Sequence, residues 1–305
     1  MEIITSKYKK VVDFCYKLFA EAGLMLHKTK FSNKLFTQYQ HLFLLVYKQF
    51  RKFTYKELLE DLSDNITLRA YLGLNKLPEY TTLIKFAKRL SSKIFEKLIT
   101  AFSMFIEQPE KVAIDGTGIS LDNASPHYCK RIGKKYHKRP FLKLSVIIEI
   151  KRYMILQFKV RKKTRHDVID AYPMVKKLAR QYKPEAFYGD RGYDSEKLFK
   201  IVFEELGAYP LSLQKRLDVP KYKRKGRYRK ETVDVFDYGE YLQRNKVETA
   251  FSILKRKFGF SIRSRNVKNQ KVEAMSRIIA YNIDRLLETG KRVILIFIMI
   301  TRVSY

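Results

Sequence analysis

The sequence has few cysteines, few acidic residues and no long apolar run, and each shortage excludes something. Only Cys15 and Cys129 are present, far apart, with no CxxC or Cys/His cluster at zinc spacing. A disulfide scaffold and a zinc module are therefore out, and two reduced thiols in a cytosolic protein are expected. The first residues, "MEIITSKYKKVVDF", lack the apolar core of a signal peptide. The longest apolar run is "VILIFIMI", Val293 to Ile300, and eight residues are too few to span a bilayer. It reads as a buried strand or terminal helix, with a membrane-associated tail as the rival reading. Internal repeats and long low-complexity segments are also missing.

Acids are the telling shortage. There are 31 Asp+Glu against 63 Lys+Arg, a formal charge of +32 on 305 residues. A chain this basic repels itself, and a polyanionic partner is the usual compensation. Nucleic acid is the first candidate and an anionic membrane surface the second. Hydrophobic residues make up 46%, enough for a large core and for more than one domain.

Residues 1–108 read as helical. Leu42, Leu45 and Val46, then Leu58, Leu59 and Leu62, fall at helical spacing. Thr54 and Glu57 form a capping box. Gly73 and Asn75 end one helix, and Thr81 or Thr82 can cap the next. Short helices with brief breaks suit a helix-turn-helix-like DNA module, and equally a plain bundle.

Beyond Pro109 the pattern changes to β-branched runs. "KVAIDGTGISL" and "LKLSVIIEIKRYMILQFKV" predict three strands, the last two joined by a basic turn at Lys151–Arg152. "DVIDAYPMVKKLARQY", "EAFYGDRGY", "SEKLFKIVFEEL" and "AYPLSLQ" then predict helix, strand, helix, strand. A basic stretch from Lys221 to Lys230 and a further helix follow. The expected fold class is α/β, a mixed sheet flanked by helices, over residues 109–292. Residues 293–305 form an apolar C-terminal segment without an assigned role.

Three acids stand outside the apolar patterns around them. Asp115 is expected at the end of one strand and Asp190 at the end of another. Carboxylates there are costly to desolvate without a positive partner. Two or three of them can hold Mg²⁺ or Mn²⁺ through oxygen, and a pair of such ions supports phosphoryl transfer. Plain turns at Asp115 and Asp190, or a pair between Asp190 and Arg191, are the competing readings. Asp194 reads as a helix N-cap. Asp122 and Asp167 are weaker rivals, and His166 is expected to be structural.

Glu248 lies in "YLQRNKVETAFSILKRKFG", taken as one continuous helix. At about 100° per residue, Tyr241, Arg244, Glu248, Ser252 and Lys255 share one polar face about 80° wide. Leu242, Val247, Ala250, Phe251, Ile253, Leu254 and Phe258 form the opposite, apolar face. An acid that holds metal beside cations that hold phosphate makes this face coherent. A solvated face of helical charge neighbours is the alternative.

The spacing Tyr241, two residues, Arg244, three residues, Glu248, six residues, Lys255 resembles the signature of DDE transposases of bacterial and archaeal insertion sequences. "VAIDGTGI" and "YGDRGYDS" resemble their two aspartate segments, and "YLGLNKLPEYTTLIKFAKRL" their helical N-terminal region. The resemblance covers most of the chain. It implies an RNase H-like catalytic domain with Asp115, Asp190 and Glu248 as the metal-binding triad. It also implies a dimer or larger assembly on the element's terminal inverted repeats. Only 57 residues separate Asp190 from Glu248, as in members with a compact catalytic domain.

The resulting expectation is a cytoplasmic, nucleoid-associated transposase with no membrane partner. It would use two Mg²⁺ or Mn²⁺ ions to cut double-stranded DNA at terminal repeats and join it to target DNA. Tyr241, Arg244 and Lys255 would position phosphates. Lys221, Lys223, Arg224, Lys225, Arg227, Arg229 and Lys230 would grip the backbone, with Arg263, Arg265 and Lys268 extending the track. The rivals are an RNase H-like nuclease without strand transfer and a DNA-binding derivative without catalysis.

Overall fold

The structure is a computed structural model and describes residues 7–27, 34–121, 131, 141–163, 165–214 and 219–289. Cys129, Asp122 and the segment 293–305 lie outside the described residues. The N-terminal region is helical as expected: α1 (Lys7–Glu21), α2 (Gln38–Arg51), α3 (Tyr55–Asp64), α4 (Ile66–Leu72), α5 (Tyr80–Arg89) and α6 (Ser92–Ala101). Thr54 and Glu57 close the expected capping box on α3. A second box, of Thr37 with Gln40, starts α2. Gly73 ends α4 in the left-handed region at φ 63°. The start of α5 differs from expectation. Glu79 is its N-cap, and Thr81 and Thr82 lie inside the first turn. The earlier start lengthens the helix that buries Leu83, Phe86 and Ala87.

The sheet holds β1 (Lys111–Leu121), β2 (Phe141–Glu149), β3 (Ile155–Arg161), β4 (Ala186–Gly189), β5 (Tyr209–Ser212) and the short β6 (Ser261–Ile262). Its order is β3-β2-β1-β4-β5. The first three strands are antiparallel, and β4 and β5 run parallel to β1. Between β2 and β3, the Glu149 carboxylate accepts the amides of Lys151 and Arg152, closing the expected basic turn. On the β4 side, β1 is paired only at Lys111–Ala113, and β6 returns at Ser120–Leu121. From Ile114 to Ile119 its ladder partner is β2 alone. β2 is buried along nearly its whole length, hence its continuous apolar run.

The remaining helices are α7 (Asp167–Leu178), α8 (Glu196–Ile201), α9 (Arg227–Val235), α10 (Tyr238–Tyr241), α11 (Lys246–Phe258) and α12 (Val267–Thr289). Neither α12 nor β6 was anticipated from the sequence. α12 buries Ile278, Ile279, Ala280, Tyr281 and Ile283, so consecutive positions on all its sides are covered. It packs against α2, α5 and α6 and against β3. Asn282 exchanges two hydrogen bonds with the Ile155 backbone, at 2.9 and 2.7 Å. The change of character near Pro109 thus matches the passage from helices to sheet, while both halves share one core.

Beside α12 lies a buried polar junction. Glu273 and Arg277 pair at 2.7 Å with side chains 5% and 7% exposed. Glu273 also accepts the amides of Arg263 and Ser264 and the Ser264 hydroxyl. Arg277 donates to the carbonyls of Gly259 and Ser261 and to Gln49 of α2. The charges of Lys48 and Arg277, with these donors, hold the Glu273 carboxyl below its usual range despite burial.

Candidate active site

Asp115 is not at a strand end, as expected, but midway along β1, where β4 has stopped and β2 continues. The two glycines after it stay in the strand because Gly116 and Gly118 are paired to Ser145 and Lys143. Asp115 accepts its neighbour's amide, Gly116 N, at 2.7 Å. Burial pushes its carboxyl up to about 6, and the charges of Asp190 and Glu248 push the same way. The Gly116 amide and Arg244 oppose the shift. Asp115 therefore feels both of the other acids.

Asp190 follows β4 directly, as expected, and caps the short turn Arg191–Tyr193 by accepting Gly192 N at 2.8 Å. A Cβ at Gly189 would stand 3.0 Å from Ser212 Oγ and 3.1 Å from Tyr193 Cβ, so glycine lets the turn fold onto the sheet end.

The helix carrying Glu248 is not continuous. α10 passes through a 3₁₀ turn, Leu242–Asn245, into α11. A 3₁₀ turn advances about 120° per residue, so four residues rotate what precedes α11 by about 80° from an ideal helix. Tyr241 is consequently buried at 6% exposed, and Leu242, expected in the core, is 48% exposed. Tyr241 packs on Phe236 and Tyr238 with ring centroids 5.7 and 6.1 Å away. From α11 onward the expected faces hold. Val247, Ala250, Phe251, Leu254 and Phe258 are buried, and Glu248 and Ser252 are exposed.

Arg244 donates to Glu248 at 3.1 Å, and its guanidinium lies 5.8 Å over the Tyr241 ring. Lys255 Nζ donates to Thr117 Oγ1 at 2.7 Å, joining α11 to the strand of Asp115. Thr117 was not singled out in the sequence, although period-2 alternation puts it on the face of Asp115. Among the described residues, no three His, Cys, Asp or Glu side chains are gathered as a group that could hold a metal ion. Glu248 faces Arg244 instead. The donor set nevertheless suits an oxygen-ligated divalent cation: three carboxylates, one of them with its ionised form disfavoured by burial and by its two acidic neighbours.

The rival acids have other partners. Asp194 is not an N-cap; Ser195 holds that position, and buried Asp194 receives Arg229 Nε at 2.8 Å. Asp167 pairs with Lys143 at 2.6 Å and sits where a Gly116 Cβ would point, on the sheet face opposite Asp115. His166 is exposed at the start of α7.

The basic stretch divides into two groups. Lys221 pairs with Asp234, Arg227 with Glu231 and Arg229 with Asp194, while Arg224 binds Val219 O and Gln214. Lys223, Lys225 and Lys230 have no ion-pair partner among the described residues, and Lys223 lies over the Tyr222 ring. Of the proposed extension, Arg263 donates to the Lys52 carbonyl at 3.2 Å.

The family described as the transposase DDE domain matches residues 107–283, more than half the chain and all three acids. The chain belongs to the DDE transposase family. Its fold is similar to that of piggyBac transposase, solved by cryo-electron microscopy as a synaptic complex with hairpin DNA. The TM-score is 0.50 at 12% identity, covering 92% of this chain and 77% of that one. No curated protein matches the chain. The mixed sheet flanked by helices, with a helical N-terminal region, matches a transposase fold. As a member of the DDE transposase family the chain is a DNA-cutting and DNA-joining enzyme, and members of this family depend on divalent metal. No helix among the described residues of the transposase is long and apolar enough to cross a membrane.

Proposed function

We propose that this transposase acts through Asp115, Asp190 and Glu248, which hold two Mg²⁺ or Mn²⁺ ions while it cuts at insertion-sequence ends and joins them to target DNA. The observation that carries this reading is the state of Asp115. Its carboxyl is pushed up to about 6, first by burial and then by the charges of Asp190 and Glu248, against the opposing pull of Arg244, so cations held among the three acids would relieve its ionised form. Divalent cations there would stabilise the attacking and leaving oxygens of an in-line displacement. The chain's own residues do the rest. Lys255, steadied by Thr117, presents an ammonium group to a phosphate oxygen. Arg244 occupies Glu248 in the free protein and turns to phosphate when Glu248 takes a ligand. Tyr241 supports the Arg244 guanidinium from below and so acts as a positioning residue.

Lys223, Lys225 and Lys230 grip the backbone, while Arg224 and Arg229 hold their segment in shape. We extend to this chain the binding of double-stranded ends by more than one copy, in line with the synaptic complex of its structural neighbour. We likewise assign the helices before residue 109 to DNA contact, and the protein to the nucleoid. In the deciding experiment, Glu248→Gln keeps DNA binding and loses Mg²⁺-dependent cleavage. Unchanged cleavage would sink the triad. With wild-type protein, a labelled end that is cut but never joined would favour the nuclease reading. Calorimetric titration with Mn²⁺ counts the ions.

A further inference from the structure

An open groove of about 960 Å³ lies between the end of α5, the edge strand β3 and the start of α12. Its floor is apolar, with Phe158, Val160, Val272 and Met275. Its walls carry Lys88 from the N-terminal helices, Lys159, Lys162 and Lys163 from β3 and the residues after it, and Lys268 and Lys271 from α12. None of these six lysines pairs with a carboxylate among the described residues, although sixteen ion pairs form there, two of them at groove-lining residues, Arg161 with Asp170 and Glu96 with Lys177. The one acid in the wall, Glu96, is already bound to Lys177 at 2.5 Å. Three separate elements thus turn uncompensated positive charge into one trough.

The position of this trough is set by register. Asp115 is paired with Val146, and Val146 with Phe158. Phe158 therefore lies two strands from Asp115 on the same rung, roughly 10 Å away at the usual strand spacing. The stretch Lys221–Lys230 follows β5, at the other edge of the sheet. The acids stand between two basic regions. A small anion would need convergent, buried donors. Six flexible ammonium groups around an open trough suit a repeating polyanion, which each can meet as a point charge.

We infer that this groove holds the phosphate backbone of duplex DNA beyond the reacting phosphate, on the β3 side of the acids. The inference rests on the transposase reading and adds to it a second backbone track. It also gives the N-terminal helices a contact through the end of α5.

The test uses the full chain and a fluorescein-labelled duplex of arbitrary sequence, titrated at salt concentrations from about 50 to 200 mM. The groove variant is Lys162→Ala/Lys163→Ala/Lys271→Ala. A control, Lys176→Ala/Lys183→Ala/Lys200→Ala, removes the same charge from the exposed surface of α7, α8 and the loop between α7 and β4. In the groove variant, the slope of log K against log salt should shrink by about 2.7, at about 0.9 for each phosphate that is no longer neutralised. The control should keep nearly the wild-type slope. Equal slopes for the two variants would overturn the groove while leaving the transposase reading intact. A wild-type chain that binds no duplex would remove both. Loss of binding to phosphatidylserine vesicles with an unchanged DNA slope would reassign the groove to a membrane surface.

Discussion

Two helical Arg/Glu pairs, each four residues apart, do opposite things in this protein. Glu273–Arg277 on α12 has side chains 5% and 7% exposed. Arg244–Glu248, at the start of α11, has its arginine 23% and its glutamate 58% exposed. The buried glutamate takes four donors from three residues, and its arginine is spent on two carbonyls and Gln49. The exposed glutamate accepts from Arg244 alone among the described residues. It also lies in the less favourable order, with the cation N-terminal to the acid. The same residue types at the same spacing are thus a fixed joint in one place and an easily exchanged contact in the other. Burial and the number of donors decide which.

Removing one charge from each pair separates the two cases most widely. Glu273→Gln leaves Arg277 buried without its charge partner and should cost about 3–5 kcal/mol, measured by urea unfolding. Changes below about 1 kcal/mol would mean that the junction is better hydrated than its burial implies.

Asp115 lies between the extremes. Its folded pKa of about 6 is above the ordinary 3.8, so the fold favours the protonated acid. The associated stability is present at low pH and is lost as pH rises through about 6. Asp115→Asn cannot ionise. In EDTA it should gain about 1–3 kcal/mol over wild type at pH 8, after discounting for partial exposure, and lose that gain below about pH 4. A gain independent of pH would point to packing as its cause. Mg²⁺ should narrow the difference by stabilising the wild type alone.

A smaller effect is expected at the link between strand and helix. Thr117→Val removes the partner of Lys255 and should cost about 1 kcal/mol, with a fall in cleavage rate at unchanged DNA affinity. An equal loss of affinity would make Lys255 mainly a binding residue. The smallest stability change belongs to Glu248→Gln, within about 0.5 kcal/mol by thermal unfolding, because an exposed pair contributes little. It should nevertheless abolish cleavage, inverting the outcome at Glu273.

Much of this arrangement was legible in the sequence. The order of β1 to β5 along the chain followed from β-branched runs, and the capping box at Thr54 placed α3. The face joining Arg244, Glu248 and Lys255 followed from helical spacing. What escaped depends on contacts between distant segments. The aromatic cluster of Phe236, Tyr238 and Tyr241 accompanies the 3₁₀ turn, and no local periodicity announces it. β1 runs past Asp115 because β2 offers it a partner there. Asp194 looked like a cap, since Arg229 lies 35 residues away in sequence. α12 leaves no such signal, because a helix covered on all sides has no amphipathic period to read.

The one-sided stretch of β1 has a consequence on the time axis. Between Ile114 and Ile119 only β2 backs the strand, so the alternate amides that point away from β2 have no ladder to shield them. They should take up deuterium well before their neighbours and slow down when DNA occupies the site. The alternate amides of this stretch would then serve as a built-in reporter of substrate arrival, readable without any label on the acids themselves.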